Sequence, residues 1–296
     1  MRFPRTLCER HIQEALRALN EDNPSAVLKA AEEASRAYSE ILQDIGDDEP
    51  LTTEELADFK GHINAFTGHA LMLLGRFQEA VEPLKIGAAC FEETQNDRLP
   101  WTLSNLGVVL RRNGQLDEAL TCCLRTVEIL RSHGEELNLH TAEQRAGNIF
   151  QQAGRHDDAL LWFNQAKEGF KRLSLHEQQG DAEHGIGVSM AQIRRFAEAT
   201  EAWEQAGRHF HAAGAKRKLS QVEMNLAGVA FQQGDIERAI RHLECAINSC
   251  HLLPDAKAEY QAAAQMLARA YMQVGRNSDA LNIMQRLRTG SATSEF

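Results

Sequence analysis

Proline is scarce in this chain, with six in 296 residues, and aromatic residues make up only 6%. Few prolines leave long stretches free to be helical, because the proline ring and its missing N–H break a helix interior. No run of β-branched residues alternates with polar ones, so strands have no candidates and the reading is all-α. No apolar stretch approaches 18 residues, which argues against a membrane-inserted helix. The opening Met1-Arg2-Phe3-Pro4-Arg5 leads into no apolar signal core. Positive charge is in deficit: 32 Lys and Arg face 42 Asp and Glu, a formal net charge of −10. That balance disfavours nucleic acid, whose phosphates need a cationic surface. The six cysteines, Cys8, Cys90, Cys122, Cys123, Cys245 and Cys250, form no CxxC and read as mostly buried free thiols of a reduced, cytoplasmic protein.

Motifs of chemistry are missing too. There is no GxGxxG or GxxxxGK, and His176-Glu177 is followed by Gln178-Gln179-Gly180, so HExxH fails. His209 and His211 sit two apart, which splays them on a helix. His133 and His140 flank a turn. The twelve histidines therefore read as mostly surface residues, and no catalytic, metal or cofactor role is expected.

What the chain does have is a period. Gly75, Gly114, Gly154, Arg194, Gly234 and Gly275 are each followed five residues later by Ala80, Ala119, Ala159, Ala199, Ala239 and Ala280, and successive alanines lie 39, 40, 40, 40 and 41 apart. Seven residues before each turn residue stands a small one: Gly68, Gly107, Gly147, Gly187, Ala227, Ala268. Nine after it stands Leu84, Cys123, Phe163, Trp203, Leu243 or Met284. Leu103, Leu106, Gly107 and Leu110 share one helical face. Gly114 then ends the helix in the left-handed conformation that glycine adopts without strain. Leu116 opens the next helix, with Asp117 and Glu118 at its positive end. Each unit is thus a helical hairpin whose small and large residues interlock, and such units bury a core only by stacking. Arg194 departs from glycine, so that turn needs another cap or carries strain. The polar Asn277 and His156, two after their turn residues, mark less regular units, and the last hairpin should be the loosest.

The order small–x6–Gly–x4–Ala–x3–large, as in Gly68, Gly75, Ala80 and Leu84, resembles the tetratricopeptide repeat over about residues 60 to 288. The unit of about 40 residues exceeds the usual 34 or so. It is similar to the long repeats of kinesin light chains, Pins-type scaffolds and bacterial peptide-sensing regulators. The resemblance implies a right-handed α-solenoid of stacked hairpins. Residues 1–45 read as a degenerate first hairpin, 46–53 as a linker, 54–288 as six repeats and 289–296 as a disordered polar tail. Pro24, Pro50 and Pro254 mark junctions.

In this family the first helix of each hairpin lines the concave face. The positions so implied include Trp101, Asn105, Arg111, Arg112, Arg145, Asn148, His184, Met224, Asn225, Phe231 and Arg269. Asn105, Asn148 and Asn225 would clasp a peptide backbone, since an amide offers a donor and an acceptor together. Arg111, Arg112 and Arg145 would read acidic groups, and Trp101, Met224 and Phe231 would supply apolar anchors. The two-carboxylate clamp of chaperone-binding relatives needs a lysine that Ala65, Ser104, Gln144, His184, Met224 and Gln265 do not provide. Lys216, Arg217 and Lys218 read as a solvated face rather than a partner site. The function expected is an adaptor that holds an extended or helical segment of a protein partner, preferably acidic. The alternatives are a peptide-sensing receptor that changes superhelical pitch, or a self-associating structural subunit.

Overall fold

The computed structural model describes residues 4–43, 51–250, 253 and 256–289, and among them lie fourteen α-helices and no strand. Met1 to Phe3, linker residues 46–50, Pro254 and tail residues 290–296 fall outside the described residues. The chain divides into two compact units, residues 1–153 and 154–296. The first holds α1 (Pro4–Asn20), α2 (Pro24–Gln43), α3 (Thr53–Leu73), α4 (Phe77–Glu93), α5 (Leu99–Arg112), α6 (Leu116–His133) and α7 (Glu136–Gln152). The second holds α8 (His156–Arg172), α9 (His176–Gln192), α10 (Phe196–Ala212), α11 (Lys216–Gln232), α12 (Ile236–Cys250), α13 (Lys257–Gln273) and α14 (Asn277–Thr289). Within each unit every helix packs on the next in chain order, and first helices of neighbouring hairpins also touch, as α3 with α5 and α11 with α13. The build is an α-solenoid of stacked hairpins. Among the described residues no helix is long and apolar enough to cross a membrane.

The local signals act as their chemistry dictates. Pro24 opens α2, and Pro100 lies in the first turn of α5. Thr52, inside the expected linker, caps α3: its Oγ1 accepts from the Glu55 N–H at 3.1 Å, and its own N–H donates to Glu55 at 2.9 Å. Gly75, Gly114, Gly154, Gly234 and Gly275 all have φ between 73° and 79°. Arg194 adopts the same backbone, φ 63°, instead of finding another cap. The Arg195 N–H bonds the Met190 carbonyl at 2.9 Å and the Arg194 N–H that of Ala191 at 3.0 Å, the bonding pattern of the glycine turns. A second left-handed series, Gln95, Gly134, Ser174 and Gly214, ends the second helices with a similar period. Its alternation of glycine with other residues hides it in the sequence.

The interlock is tight. A Cβ on Gly68 would lie 2.5 Å from Leu84 Cγ, and one on Gly187 would lie 2.5 Å from Trp203 Cδ1. The alanines from Ala80 to Ala239 are fully buried. Met284 departs from its expected role: it is 41% exposed, beside Leu281 at 67%, whereas Leu84, Cys123, Phe163, Trp203 and Leu243 are buried. In α14 only Ala280 and Ile283 are buried among the described residues, which makes the last helix the least anchored.

Candidate functional site

In the first unit, α5, α6 and α7 line a half-open cavity of about 270 Å³. Arg111 and Val108 come from α5, Thr141, Gln144, Arg145 and Asn148 from α7, and Cys123 of α6 closes the wall with Gly107 and Ile149. Three of the residues singled out by position, Arg111, Arg145 and Asn148, therefore meet in one place. No carboxylate lines it. Arg111 donates to Gln152 Oε1 at 3.2 Å, and Arg145 donates to the Ser104 hydroxyl. Among the described residues neither guanidinium forms an ion pair, although both are half-buried. Burial disfavours the charge on Arg145, and burial with the nearby Arg112 and Arg145 disfavours that on Arg111. Arginine stays protonated all the same. The cavity thus presents two partly desolvated cations with most of their donors unused. Burial pushes the Cys123 thiol up to about 12, so it is an inert wall rather than a nucleophile.

The other candidates are placed differently. Asn105 is 5% exposed, and its Nδ2 donates to His69 Nδ1 at 3.0 Å. Trp101 packs edge-on to Phe66, with centroids 6.1 Å apart, and lies 4.9 Å from the His69 ring, joined to the core under the first hairpin. Arg112 is exposed and stands 5.9 Å from the Phe77 ring. In the second unit Asn225 Nδ2 donates to His184 Nε2 at 2.9 Å, while Met224 and Phe231 pack half-buried against the core of α11 to α14. Arg269 is exposed on α13. Two of these contacts share their offsets, while Asn105 with His69 does not. Arg145 and Asn225, each nine before a turn residue, reach back to Ser104 and His184, each ten before the preceding turn residue.

The histidines are not mostly at the surface. His140 is buried, His62, His69, His184, His209 and His242 are half-buried, and His133, His176 and His211 are exposed. Glutamates eleven before three successive turn residues meet them. Glu143 lies 2.8 Å from His140, Glu223 lies 2.7 Å from His242, and Glu183 lies 3.6 Å from His209. The 40-residue spacing of Glu143, Glu183 and Glu223 was the available signal. Within the basic cluster, Lys218 bridges Glu177 and Asp181 at 2.7 Å each, and Arg217 pairs with Glu259, so both cations serve helix packing.

Family models described as tetratricopeptide repeat match residues 98–172 and 221–244. No curated protein matches the chain in sequence at a significant level. Solved structures resemble it in fold. The signal-transduction ATPase PH0952 of Pyrococcus horikoshii, which carries a tetratricopeptide-repeat sensor, aligns with TM-score 0.68 at 17% identity over 93% of this chain and 45% of its own. NprR in complex with its cognate peptide NprX gives 0.56 at 14% identity over 94% and 76%. A Rap protein complexed with competence and sporulation factor gives 0.57 at 12% identity over 95% and 96%.

Proposed function

The chain is a tetratricopeptide-repeat protein, and we propose that it acts as an adaptor, binding a segment of a protein partner on the face made by the first helices of its hairpins. An acidic side chain of that segment sits between Arg111 and Arg145. The observation that carries this reading is the pair of half-buried guanidiniums in one cavity with no carboxylate against either. A charge withdrawn from water without a counter-ion is costly, and a carboxylate entering the cavity would replace lost hydration with charge-assisted bonds. Asn148, Gln144 and Thr141 add neutral hydrogen-bonding groups at the same wall. The net charge of −10 and the use of Arg217 and Lys218 within the fold support a protein ligand over nucleic acid. The peptide complex of NprR, similar in fold, supports the same class.

The test is selection from a displayed library of random twelve-residue peptides on the immobilised protein. Enriched peptides are expected to carry Asp or Glu, and Arg111→Gln/Arg145→Gln is expected to bind them more than about tenfold more weakly, the loss of at least one charge-assisted bond. Enrichment without acidic residues, or equal binding by the variant, overturns the reading.

A further inference from the structure

A second helix in this stack has two sides to cover: its own first helix takes one, and the first helix of the following hairpin takes the other, as α11 and α13 do for α12. Phe163 shows the latter contact, since a Cβ on Gly185 of α9 would lie 2.6 Å from its ring. Ile240 and Leu243, six and nine residues after Gly234, are 2% and 0% exposed and share a core with Ala263 and Leu267 of α13. Leu281 and Met284 hold the same two offsets after Gly275 in α14, but they are 67% and 41% exposed. They stand about one turn apart on one side of the helix, while Ala280 and Ile283 are buried in the core with α13. A stacking face left open in this way has the chemistry of an association surface rather than a solvated one.

Its own residues say what fits. The exposed side of α14 reads Asn277, Leu281, Met284 and Arg288, with the four-three-four spacing that forms the seam between two packed helices. Reversed, that order is its own complement. About a two-fold axis through its middle, Leu281 of one copy meets Met284 of the other, and the Asn277 amide oxygen meets the Arg288 guanidinium. A head-to-tail contact fits poorly, because α1 turns Arg5, Glu9, Arg10 and Arg17 to solvent, with Arg5 bonded to Glu9 at 3.2 Å and Arg10 to Glu14 at 2.9 Å. Setting those charges against Leu281 and Met284 would strip their hydration. We propose that this side of α14 is a self-association surface, on which a second copy of this chain docks its own α14 antiparallel. The contact is independent of peptide binding. One helix of 13 residues from each copy is small beside the about 800 Å² that each partner gives to a standard interface, so association is expected in the micromolar range.

Sedimentation equilibrium of the full chain from about 1 μM to about 500 μM tests it. The mass is expected to climb from 33.1 kDa towards twice that value and to stop there. Leu281→Glu/Met284→Glu should raise the concentration of half-association more than about tenfold. Both positions are exposed, so this variant should melt as the dilute wild type does. Asn277→Asp should lower the same concentration by about threefold, because a charge-assisted bond to Arg288 replaces a neutral one, and adding Arg288→Gln should cancel the gain. A monomer at every concentration overturns the proposal, and so does association that Leu281→Glu/Met284→Glu leaves unchanged. Growth past the dimer, or an Asn277→Asp variant that associates no more tightly than wild type, overturns the antiparallel pair.

Discussion

His184 stays neutral in the fold because burial, and then the nearby Lys218, oppose a second positive charge, pulling its pKa from 6.5 to about 4. The hydrogen bond from Asn225 fits that state, since Nε2 accepts only when it carries no proton. His62, His69 and His209 are displaced downward as well, each chiefly by burial. The sign of the linkage follows. As pH falls below about 6.5, the unfolded chain takes these protons before the folded one does. Stability is therefore complete above that pH and is lost on the way to about 4. Denaturant unfolding at pH 7 and pH 5 is expected to show a lower midpoint at pH 5. His184→Gln, whose amide oxygen still accepts from Asn225, should shrink the difference by about 2 kcal/mol. An unchanged difference would mean that His184 is protonated or hydrated in the fold.

At the level of the hairpin, the close approach of α9 to α10 depends on Gly187 facing Trp203. Helix propensity alone says that alanine there should help, by about 1 kcal/mol. Packing says the reverse, because the new methyl would lie 2.5 Å from the indole ring. Packing should win, since Trp203 is 4% exposed and hemmed in. Gly187→Ala is expected to destabilise the protein by about 1–2 kcal/mol in urea unfolding, and a stabilised variant would show that the indole has room to move. This pairing was legible in the sequence because Gly187 and Trp203 hold the same two offsets from the turn as Gly68 and Leu84 do. Repetition turns a weak signal at one position into a pattern. The positions of Arg111, Arg145 and Asn148 came instead from the family resemblance, and the fold brings these three residues to one cleft. The contact of the Asn105 amide with His69 was not legible, because spacing gives the face of a helix but not the distance to the helix beside it. Arg194 was visible as a departure, but only the backbone reveals that it bears the left-handed turn directly.

On the scale of the whole molecule, charge sets a contest between encounter and docking. The net charge of −10 repels an acidic peptide at distances beyond the cavity. The two unpaired guanidiniums attract it only at close range, where low dielectric strengthens them. Salt screens these differently: the Debye length shrinks from about 30 Å at 0.01 M to about 8 Å at 0.15 M, which removes the long-range repulsion first. For an acidic peptide selected on the protein, the association rate constant is therefore expected to rise between those two salt concentrations. The dissociation rate should rise as well, because the exposed part of the docked ion pair is weakened. Stopped-flow binding across the range measures both. An association rate that falls with salt would mean that the local field of Arg111 and Arg145, rather than the acidic surface around them, governs the encounter. The low-salt enhancement should then disappear in Arg111→Gln/Arg145→Gln.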